Sequence, residues 1–535
     1  MKKLITSALP YVNNLPHLGN IVGCVLSADV YTRFCKKRGQ KAIHICGTDE
    51  YGTATEMTAI EQNLHPKEIV DKNSVIHKNI YDWFEIHFDH FGRTTDDDHV
   101  IFTQKIFKEI YRENYFEEKT SEQYFCLKCE LFLADRYLLG TCPSCSSERA
   151  RGDQCDDCGY LVKALELKLP KCSICKEEPV IRKTKHLYLR LDLLKPQIKK
   201  FIEEKSESWS DNAKAIANHW INLDLHSRSM TRDLKYRWGV GVPVEGFEDK
   251  VLYVWFDAPI GYLTFTKKCL KEEYDSFVDD CVWYQFMGKD NVPFHSIIFP
   301  GMLLATKNKY PIVSTINSTE YLMYENDKFS KSRNVGIFGS DLLNDTKGPA
   351  SIWRFYLIKI RPENKDTNFS VEDFIQTVKS DLINNFGNFC NRSLKFFEEK
   401  MKRNIEFNLN EEDKLFISQI NDSYSQYLSA MERIELKNGL KIFMEISNAG
   451  NKYLQDNIND KERRKTVFSV GVSLVVLLGH ICEPFMPSIT KKIFKMIEVE
   501  NTEIFPEKFE VISKCTLGGT KIIPLFEPID GSLIK

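Results

Sequence analysis

The chain has 535 residues, 42% of them hydrophobic and 28% charged, and a net charge of −2. That length implies roughly two to four domains, and the balance is that of a globular protein, which excludes disordered and fibrous classes. With so little net charge, a nucleic-acid partner has to be met by local basic patches.

Residues 4–9 form an apolar run (Leu4, Ile5, Ala8, Leu9) that Pro10 breaks. Beyond a polar turn at Asn13 and Asn14, Leu18, Ile21, Val22, Val25 and Leu26 recur at three- and four-residue steps, the period of a helix. The stretch predicts strand, turn and helix, with His17 and Asn20 at the helix N-terminus. Free backbone N–H groups and the positive end of the helix dipole favour phosphate there. Met1-Lys2-Lys3 is basic, but the apolar run is too short for a secretory h-region and ends in Pro-Tyr with no cleavage pattern. The key stretch begins almost at Met1 and leaves no room for a transit peptide, so a cytoplasmic location is expected.

Lys41–Cys46 reads as a second strand running into Gly47-Thr48-Asp49-Glu50. Strand, helix and strand in succession predict a βαβ unit and a parallel sheet. Ligands of such sheets sit beyond the carboxyl ends of the strands, where Tyr11, His17 and Asp49 should converge. Helices are expected over 53–63, 66–84 and 99–114.

Sixteen cysteines fall into two populations. Eight are scattered; the other eight form four C-x-x-C pairs, Cys126/Cys129, Cys142/Cys145, Cys155/Cys158 and Cys172/Cys175. In a reducing compartment such pairs signal metal, not disulfides. Each pair offers two thiolates from one turn and two pairs complete a tetrahedral site, so two closed, structural zinc ions are expected. Spacing leaves sequential and nested pairing equally open. This lobe interrupts the α/β domain and should sit over its mouth.

Periodic α/β character returns after about residue 220. Tyr284–Met287 reads as a buried strand entering Gly288-Lys289-Asp290-Asn291, followed by a helix from about Phe294 with His295 at its start. Ser314–Tyr324 is expected as a strand leading to Lys328-Phe329-Ser330-Lys331-Ser332. Two lysines three apart in a loop of small residues suit a polyphosphate, because each is a mobile point charge. No G-x-x-x-x-G-K-[ST] motif occurs, which argues against the P-loop class. Residues 350–360 and 371–500 read as helices. The longest apolar run, Val467–Cys482, is interrupted by Gly471, Gly479 and His480 and reads as a buried bundle helix. No membrane partner is expected, and residues 500–535 should pack back on the body.

His17-Leu18-Gly19-Asn20 and Lys328-Phe329-Ser330-Lys331-Ser332 resemble the paired HIGH and KMSKS signatures of class I aminoacyl-tRNA synthetases. Ser-Ala-Leu-Pro-Tyr, Cys-Gly-Thr-Asp-Glu-Tyr-Gly, Trp-Phe-Asp-Ala-Pro-Ile-Gly-Tyr and Gly-Lys-Asp-Asn-Val-Pro-Phe-His narrow the resemblance to the methionyl-tRNA synthetase family, over nearly the whole chain. The resemblance implies an α/β fold: a Rossmann-type parallel-sheet catalytic domain with a zinc-knuckle insertion, followed by an all-α helical bundle. The expected division is catalytic halves at 1–115 and 229–325 around an insertion at 116–228. A KMSKS and stem-contact region at 326–370, an anticodon-binding bundle at 371–500 and a tail at 501–535 complete it.

The implied activity is that of a methionine–tRNA ligase. Methionine and ATP give methionyl-adenylate and pyrophosphate, and methionine then passes to the terminal adenosine of tRNA(Met). His17, Asn20, Lys328 and Lys331 carry the catalytic positions of the family. His17, Gly19, Asn20, Arg232, Gly288, Asp290 and Lys331 carry ATP, with Mg²⁺ on the phosphates. Leu9, Tyr11, Asp49, Trp255, Pro259, Tyr262, Asn291 and His295 carry methionine, with Asp49 holding the α-ammonium and Tyr262 and His295 offering polar hydrogens to the sulfur. The family pairs the inner cysteines 142, 145, 155 and 158 on one Zn²⁺ and the outer 126, 129, 172 and 175 on another. Asn388 and Arg392 fall where the family reads the CAU anticodon.

Two departures accompany the resemblance. Asn20 stands at the second His of the first signature, putting a neutral amide in the donor role. Gln455–Lys461 contains no aromatic residue where the family places an anticodon-stacking Trp, so another aromatic substitutes or anticodon discrimination is weaker. Two other readings compete: a leucine, isoleucine or valine synthetase, against which the short zinc-bearing insertion argues, and a tRNA-binding descendant without catalysis, against which intact His17, Asp49, Lys328 and Lys331 argue. The sequence ends soon after the bundle, and a monomer is expected.

Overall fold

Lys3 through Ser7 are all buried, as a parallel sheet with helices on both faces requires. Five strands make that sheet: β1 (Lys2–Ser7), β2 (Lys41–Thr48), β3 (His90–Arg93), β4 (Cys281–Gly288) and β5 (Thr315–Thr319). All neighbours are parallel, in the order β5-β4-β1-β2-β3. The chain therefore starts in the middle, builds outward to β3, and returns to build the other half from β4. The reversal of strand order opens a crevice between β1 and β4, at their carboxyl ends.

The computed structural model describes residues 1–133, 137–152, 155, 157, 158, 160, 162–329, 335–344, 348–400, 405–499, 503–512, 516, 517 and 521–529. Ser330, Lys331 and Ser332 of the second signature lie outside the described residues, as does Cys515.

From β1 the chain turns through Pro10 into a continuous helix: Leu18–Asn20, then wider i→i+5 turns over Ile21–Leu26, then Ser27–Lys37. Such wide turns cluster at functional sites, and this one lies directly behind His17. The apolar face read from the sequence, Leu18, Ile21, Val22, Val25 and Leu26, is buried against the sheet.

The insertion stands on a ribbon absent from the sequence reading. Phe116–Cys126 and Val180–Leu189 pair antiparallel from Phe116 opposite Leu189 to Phe125 opposite Val180. Residues 117–122 and 182–185 of the ribbon are charged or hydroxylated on both faces, so no apolar alternation betrays it. At its tip the Cys126 turn leads back to Leu131–Phe132 on the ribbon, and a small sheet (Leu138–Thr141, Ala150–Arg151, Lys168–Cys172) adjoins the other cysteine turns. Tyr137 Oη donates to Glu56 Oε2 (2.5 Å), and Glu56 also accepts from the backbone N–H groups of Lys235, Tyr236 and Trp238, which ties the lobe to the catalytic body.

The strand expected over Ser314–Tyr324 is two strands. β5 ends at Thr319, and Leu322–Tyr324 pairs with Thr367–Phe369 in a separate sheet. The break has a tertiary cause: the Glu320 N–H donates to Pro362 O, the Glu320 carboxylate meets Lys289, and the Tyr321 N–H donates to Asp366.

After Ala350–Lys359 and the strand Thr367–Phe369 the chain runs through the helices Val371–Thr377, Val378–Gly387, Asn388–Lys400, Glu411–Glu432, Leu436–Asn457, Arg464–Cys482 and Pro487–Met496. Among the described residues the strand within the expected all-helical stretch is Ile497–Glu498, which pairs with Thr516–Leu517. Arg464–Cys482 is, among the described residues, the one helix long and apolar enough to cross a membrane, and 94% of its apolar window is buried inside the protein. One apolar core runs without interruption from Ile5 and Leu18 into this bundle. Its polar rivet is Arg354, fully buried, whose guanidinium donates to Asp29 Oδ2 (2.7 Å) and to the carbonyls of Phe84, Pro484 and Phe485.

Candidate active site

At the expected nucleotide side of the crevice, His17 caps its helix. Its Nδ1 accepts from the Gly19 N–H (3.1 Å), and Asn20 Oδ1 accepts from the His17 N–H (3.2 Å). Burial lowers the imidazole pKa to about 4, so the ring is neutral at physiological pH. A neutral ring that accepts at Nδ1 carries its proton on Nε2, which makes His17 a donor without charge. The amide of Asn20 spends its oxygen on the cap, and its NH₂ is the remaining donor. Gly19 is required at its position: a Cβ there would lie 2.9 Å from His17 Cε1.

The second signature reaches this point through Phe329, whose ring stacks on His17 at 4.4 Å between centroids and 9° between planes. Gly336, at φ +117°, holds a conformation that L side chains rarely adopt, and a Cβ on it would lie 2.3 Å from the Phe329 ring. Lys328 is exposed, with Nζ 5.9 Å from the centroid of Tyr321. Lys331 lies outside the described residues.

Other expected nucleotide contacts flank the mouth. Gly288 ends β4 with open space where a Cβ would stand, so a ligand can approach the backbone. Asp290 is exposed and accepts from Tyr321 Oη (2.6 Å). Arg232 lies over the Tyr253 ring at 4.0 Å and donates to the carbonyls of Ser229 and Thr231, which holds its guanidinium at the rim.

The expected methionine pocket lies on the other side of β1. Tyr11 and Asp49 are paired across a parallel bridge, with the Asp49 N–H donating to Pro10 O (2.9 Å). Tyr11 meets Trp255 edge to face at 6.1 Å, and Trp255 stacks on Phe294 at 3.8 Å and 9°. Leu9 approaches the next helix over Gly261, where a Cβ would lie 2.9 Å from Leu9 Cδ1. Pro259 is buried beside it.

The polar floor departs from the sequence expectation. His295 Nδ1 lies 2.8 Å from Asn291 O, a carbonyl that can only accept, so the ring proton sits on Nδ1. Burial lowers the His295 pKa to about 4 and keeps the ring neutral. Nε2 is then an acceptor, and Tyr262 Oη donates to it at 2.9 Å. Both polar hydrogens that the sequence reading aimed at a sulfur are already committed within the protein, which presents a sulfur with an aromatic wall.

Asp49 is buried, and its Oδ1 has no hydrogen-bond partner. Burial, followed by the nearby charges of Asp257 and Glu50, holds its carboxyl well above the ordinary carboxylate range. A ligand cation is the group that would reverse this. Asp257 is fully buried, neither of its oxygens has a hydrogen-bond partner, and His99 Nε2 lies 3.9 Å from Oδ2; sequence reasoning gave it no role. Phe329 and Phe294 were missed in the same way, because aromatic side chains in a motif read as core until their partners are known.

The eight paired cysteines form two separate clusters, 126/129/172/175 and 142/145/155/158, each with its sulfur atoms within 4.8 Å of one another. The pairing is nested. Sulfur separations of 3.4 Å for Cys126–Cys175, 3.9 Å for Cys129–Cys172, 3.8 Å for Cys142–Cys158 and 3.7 Å for Cys145–Cys155 surround the ~3.8 Å edge of a tetrahedron with ~2.3 Å zinc–thiolate bonds. Either cluster could hold a zinc ion.

In the helical part, Asn388 and Arg392 stand half-buried one turn apart, and Asn388 Nδ2 donates to Asn451 Oδ1 (3.3 Å).

Residues 3–394 match the family described as "tRNA synthetases class I (M)", and residues 406–525 match the "Anticodon binding domain of methionyl tRNA ligase". The chain is 49% identical to the "Probable methionine--tRNA ligase, cytoplasmic" of Encephalitozoon cuniculi (strain GB-M1), over 98% of this chain and 96% of that one. It is 44% identical to the "Methionine--tRNA ligase, cytoplasmic" of Xenopus laevis, over 99% of this chain and 60% of that one. Its fold matches a methionyl-tRNA synthetase of Mycobacterium tuberculosis bound by methionyl-adenylate, with a TM-score of 0.80 at 17% identity, over 98% of this chain and 100% of that one.

Proposed function

The chain belongs to the methionyl-tRNA synthetases of class I, and from that premise we infer that it is a cytoplasmic methionine–tRNA ligase. It activates methionine with ATP and transfers it to tRNA(Met). The observation that carries the reading is the meeting of His17 and Phe329, which joins two signatures from opposite ends of the catalytic unit at one crevice.

In the first step a methionine carboxylate oxygen attacks the α-phosphorus in line. An O–P bond forms, the bond to the β-phosphate oxygen breaks, and pyrophosphate leaves. No covalent group on the protein is needed, only alignment and donors for the charge on the leaving group. His17 Nε2–H and the Asn20 amide supply neutral donors, and Lys328 and Lys331 supply mobile positive charge. Arg232 lies near the phosphates, Gly288 and Asp290 take the ribose, and Mg²⁺ neutralises the polyphosphate when bound. Asp49 holds the α-ammonium, while Leu9, Tyr11, Trp255, Pro259, Tyr262, Asn291 and His295 enclose the side chain.

In the second step a ribose hydroxyl of the terminal adenosine attacks the carbonyl carbon, and AMP leaves. Asn388 and Arg392 read the anticodon. Two zinc ions, one in each cysteine cluster, hold the inserted lobe in shape and take no part in the chemistry. The chain acts as a monomer. A leucine, isoleucine or valine synthetase, and a descendant without catalysis, both disagree with the relatives above.

Charging of a tRNA(Met) transcript with labelled methionine tests the reading. ATP-dependent accumulation of acid-precipitable methionine is expected, and charging of no methionine tRNA by the full chain would overturn it.

A further inference from the structure

Two side chains meet just beyond the carboxyl ends of neighbouring strands. β4 and β5 run parallel and in register up to Gly288 opposite Thr319, their last pair. Asp290 and Tyr321 each lie two residues further on, so they emerge side by side at the mouth of the crevice. There Tyr321 Oη donates to Asp290 Oδ1 (2.6 Å). Asp290 itself sits in the single turn Lys289–Asn291 that follows β4.

Tyr321 is held at both backbone and ring. Its N–H donates to Asp366 Oδ1 (2.9 Å), and its carbonyl accepts from the Thr367 N–H (3.0 Å). The Lys289 ammonium lies 4.0 Å from the centroid of its ring. That ammonium is pinned in turn by Glu320 Oε2 at 2.5 Å and Asp366 Oδ1 at 3.5 Å, and Glu320 Oε1 accepts from Asn212 Nδ2 (3.0 Å). The network fixes the plane of the phenol. It also commits Lys289 to two other carboxylates, so its chain neighbour Asp290 keeps its charge for another donor.

An exposed carboxylate on a short turn samples several rotamers, and a ligand that binds it has to offset the freedom lost. A hydroxyl already bonded to one oxygen selects the rotamer beforehand. Among the described residues no group donates to the second oxygen, Oδ2, which is left to accept from a ligand hydroxyl. Burial and the Asp290 carboxylate raise the Tyr321 pKa above its ordinary value, so the phenol stays a donor at physiological pH. The bond lies at the surface, with Tyr321 39% exposed, so it serves geometry more than the stability of the fold.

We propose that Tyr321 is a positioning residue for the nucleotide: its hydroxyl holds Oδ1 of Asp290 and thereby aims Oδ2 at a ribose hydroxyl of ATP. The break after β5, set by Pro362 and Asp366, delivers the phenol to this point. The proposal rests on the reading of Asp290 as a ribose group, and the experiment separates the two.

Full-chain wild type, Tyr321→Phe and Asp290→Asn are compared in methionine-dependent pyrophosphate exchange with ATP, 2′-deoxy-ATP and 3′-deoxy-ATP. Tyr321→Phe keeps the ring beside Lys289 and both backbone hydrogen bonds, and removes only the hydroxyl. It raises the ATP KM by about three- to tenfold, the scale of one hydrogen bond, and leaves the methionine KM unchanged. The wild type prefers ATP to the analogue that lacks the bonded hydroxyl. That preference narrows in Asp290→Asn and, by a smaller factor, in Tyr321→Phe, because the phenol acts through the carboxylate. Equal losses on ATP and on both analogues in Tyr321→Phe, with the preference narrowed in Asp290→Asn, overturn the role of Tyr321 alone. No preference in the wild type, or an undiminished one in Asp290→Asn, overturns the ribose reading of Asp290 and the proposal with it.

Discussion

The imidazole of His17 lies flat on the ring of Phe329, with centroids 4.4 Å and planes 9° apart. The contact fixes the ring plane of a neutral donor and also holds the start of the lysine-bearing loop against the proposed phosphate end of the crevice. Aromatic pairs of this kind contribute about 0.5–1.5 kcal/mol beyond burial. Phe329→Ala is expected to lower the rate of ATP–pyrophosphate exchange by about two- to tenfold with little change in the methionine KM, and Phe329→Tyr to retain it. A changed methionine KM with an unchanged rate would place Phe329 in the wrong pocket.

The hydrogen bond from Tyr262 Oη to His295 Nε2 orders the floor of the proposed methionine site. Tyr262→Phe removes the donor and leaves a buried acceptor unsatisfied, at a cost of about 1–3 kcal/mol. The methionine KM should rise by about ten- to a hundredfold with the ATP KM unchanged, as steady-state exchange would show.

The pH dependence of methionine binding should come from the buried Asp49 and Asp257, since His17 and His295 stay neutral above about 4. Both carboxyls are held well above their ordinary value, chiefly by burial. Between the ordinary and the raised value the folded, ligand-free protein binds more protons than the unfolded chain. Stability therefore falls as pH rises through that window. With the α-ammonium on Asp49 as proposed, ionised Asp49 is favoured, so methionine affinity is expected to rise with pH over the same window and binding to release protons. Calorimetry in buffers of differing ionisation enthalpy measures this release, and Asp257→Asn should diminish it. Proton uptake on binding would contradict the sign.

The two cysteine clusters sit in a lobe whose apolar core is small, centred on Tyr124, Leu131, Leu133, Tyr137, Leu138 and Leu167. A core of that size does not hold a fold without metal. Elemental analysis should find about two zincs per chain, and strong chelators should open the lobe to proteolysis between Cys126 and Cys175 while the sheet core stays resistant. Retention of full protease resistance after zinc loss would contradict a structural role.

Arg354 is the rivet between sheet and bundle. Arg354→Met removes one cationic partner of the buried Asp29 carboxylate, which keeps only Arg33 and the His87 N–H. A loss of about 3–5 kcal/mol of stability is expected in chemical denaturation. Arg354→Lys should not restore it, because one ammonium cannot reach Asp29 and three carbonyls at once.

What the sequence made legible was whatever depended on local pattern. The helix after His17 followed from its apolar spacing, and the cysteine turns from their repeats. What it hid depended on partners distant in the chain. The ribbon Phe116–Cys126 with Val180–Leu189 exposes charge on both faces, so no alternation marks it. The break after Thr319 is imposed by Pro362 and Asp366. The hydrogens of Tyr262 and His295 could be counted from the sequence, but only the fold shows that they are spent on each other and on Asn291.

The most direct measurement is ATP–pyrophosphate exchange by the full chain with each amino acid in turn. Methionine alone is expected to support rapid exchange, and Lys331→Ala is expected to abolish most of it while leaving methionine binding intact. Exchange driven equally by leucine, isoleucine or valine, or none with methionine, would contradict the assignment.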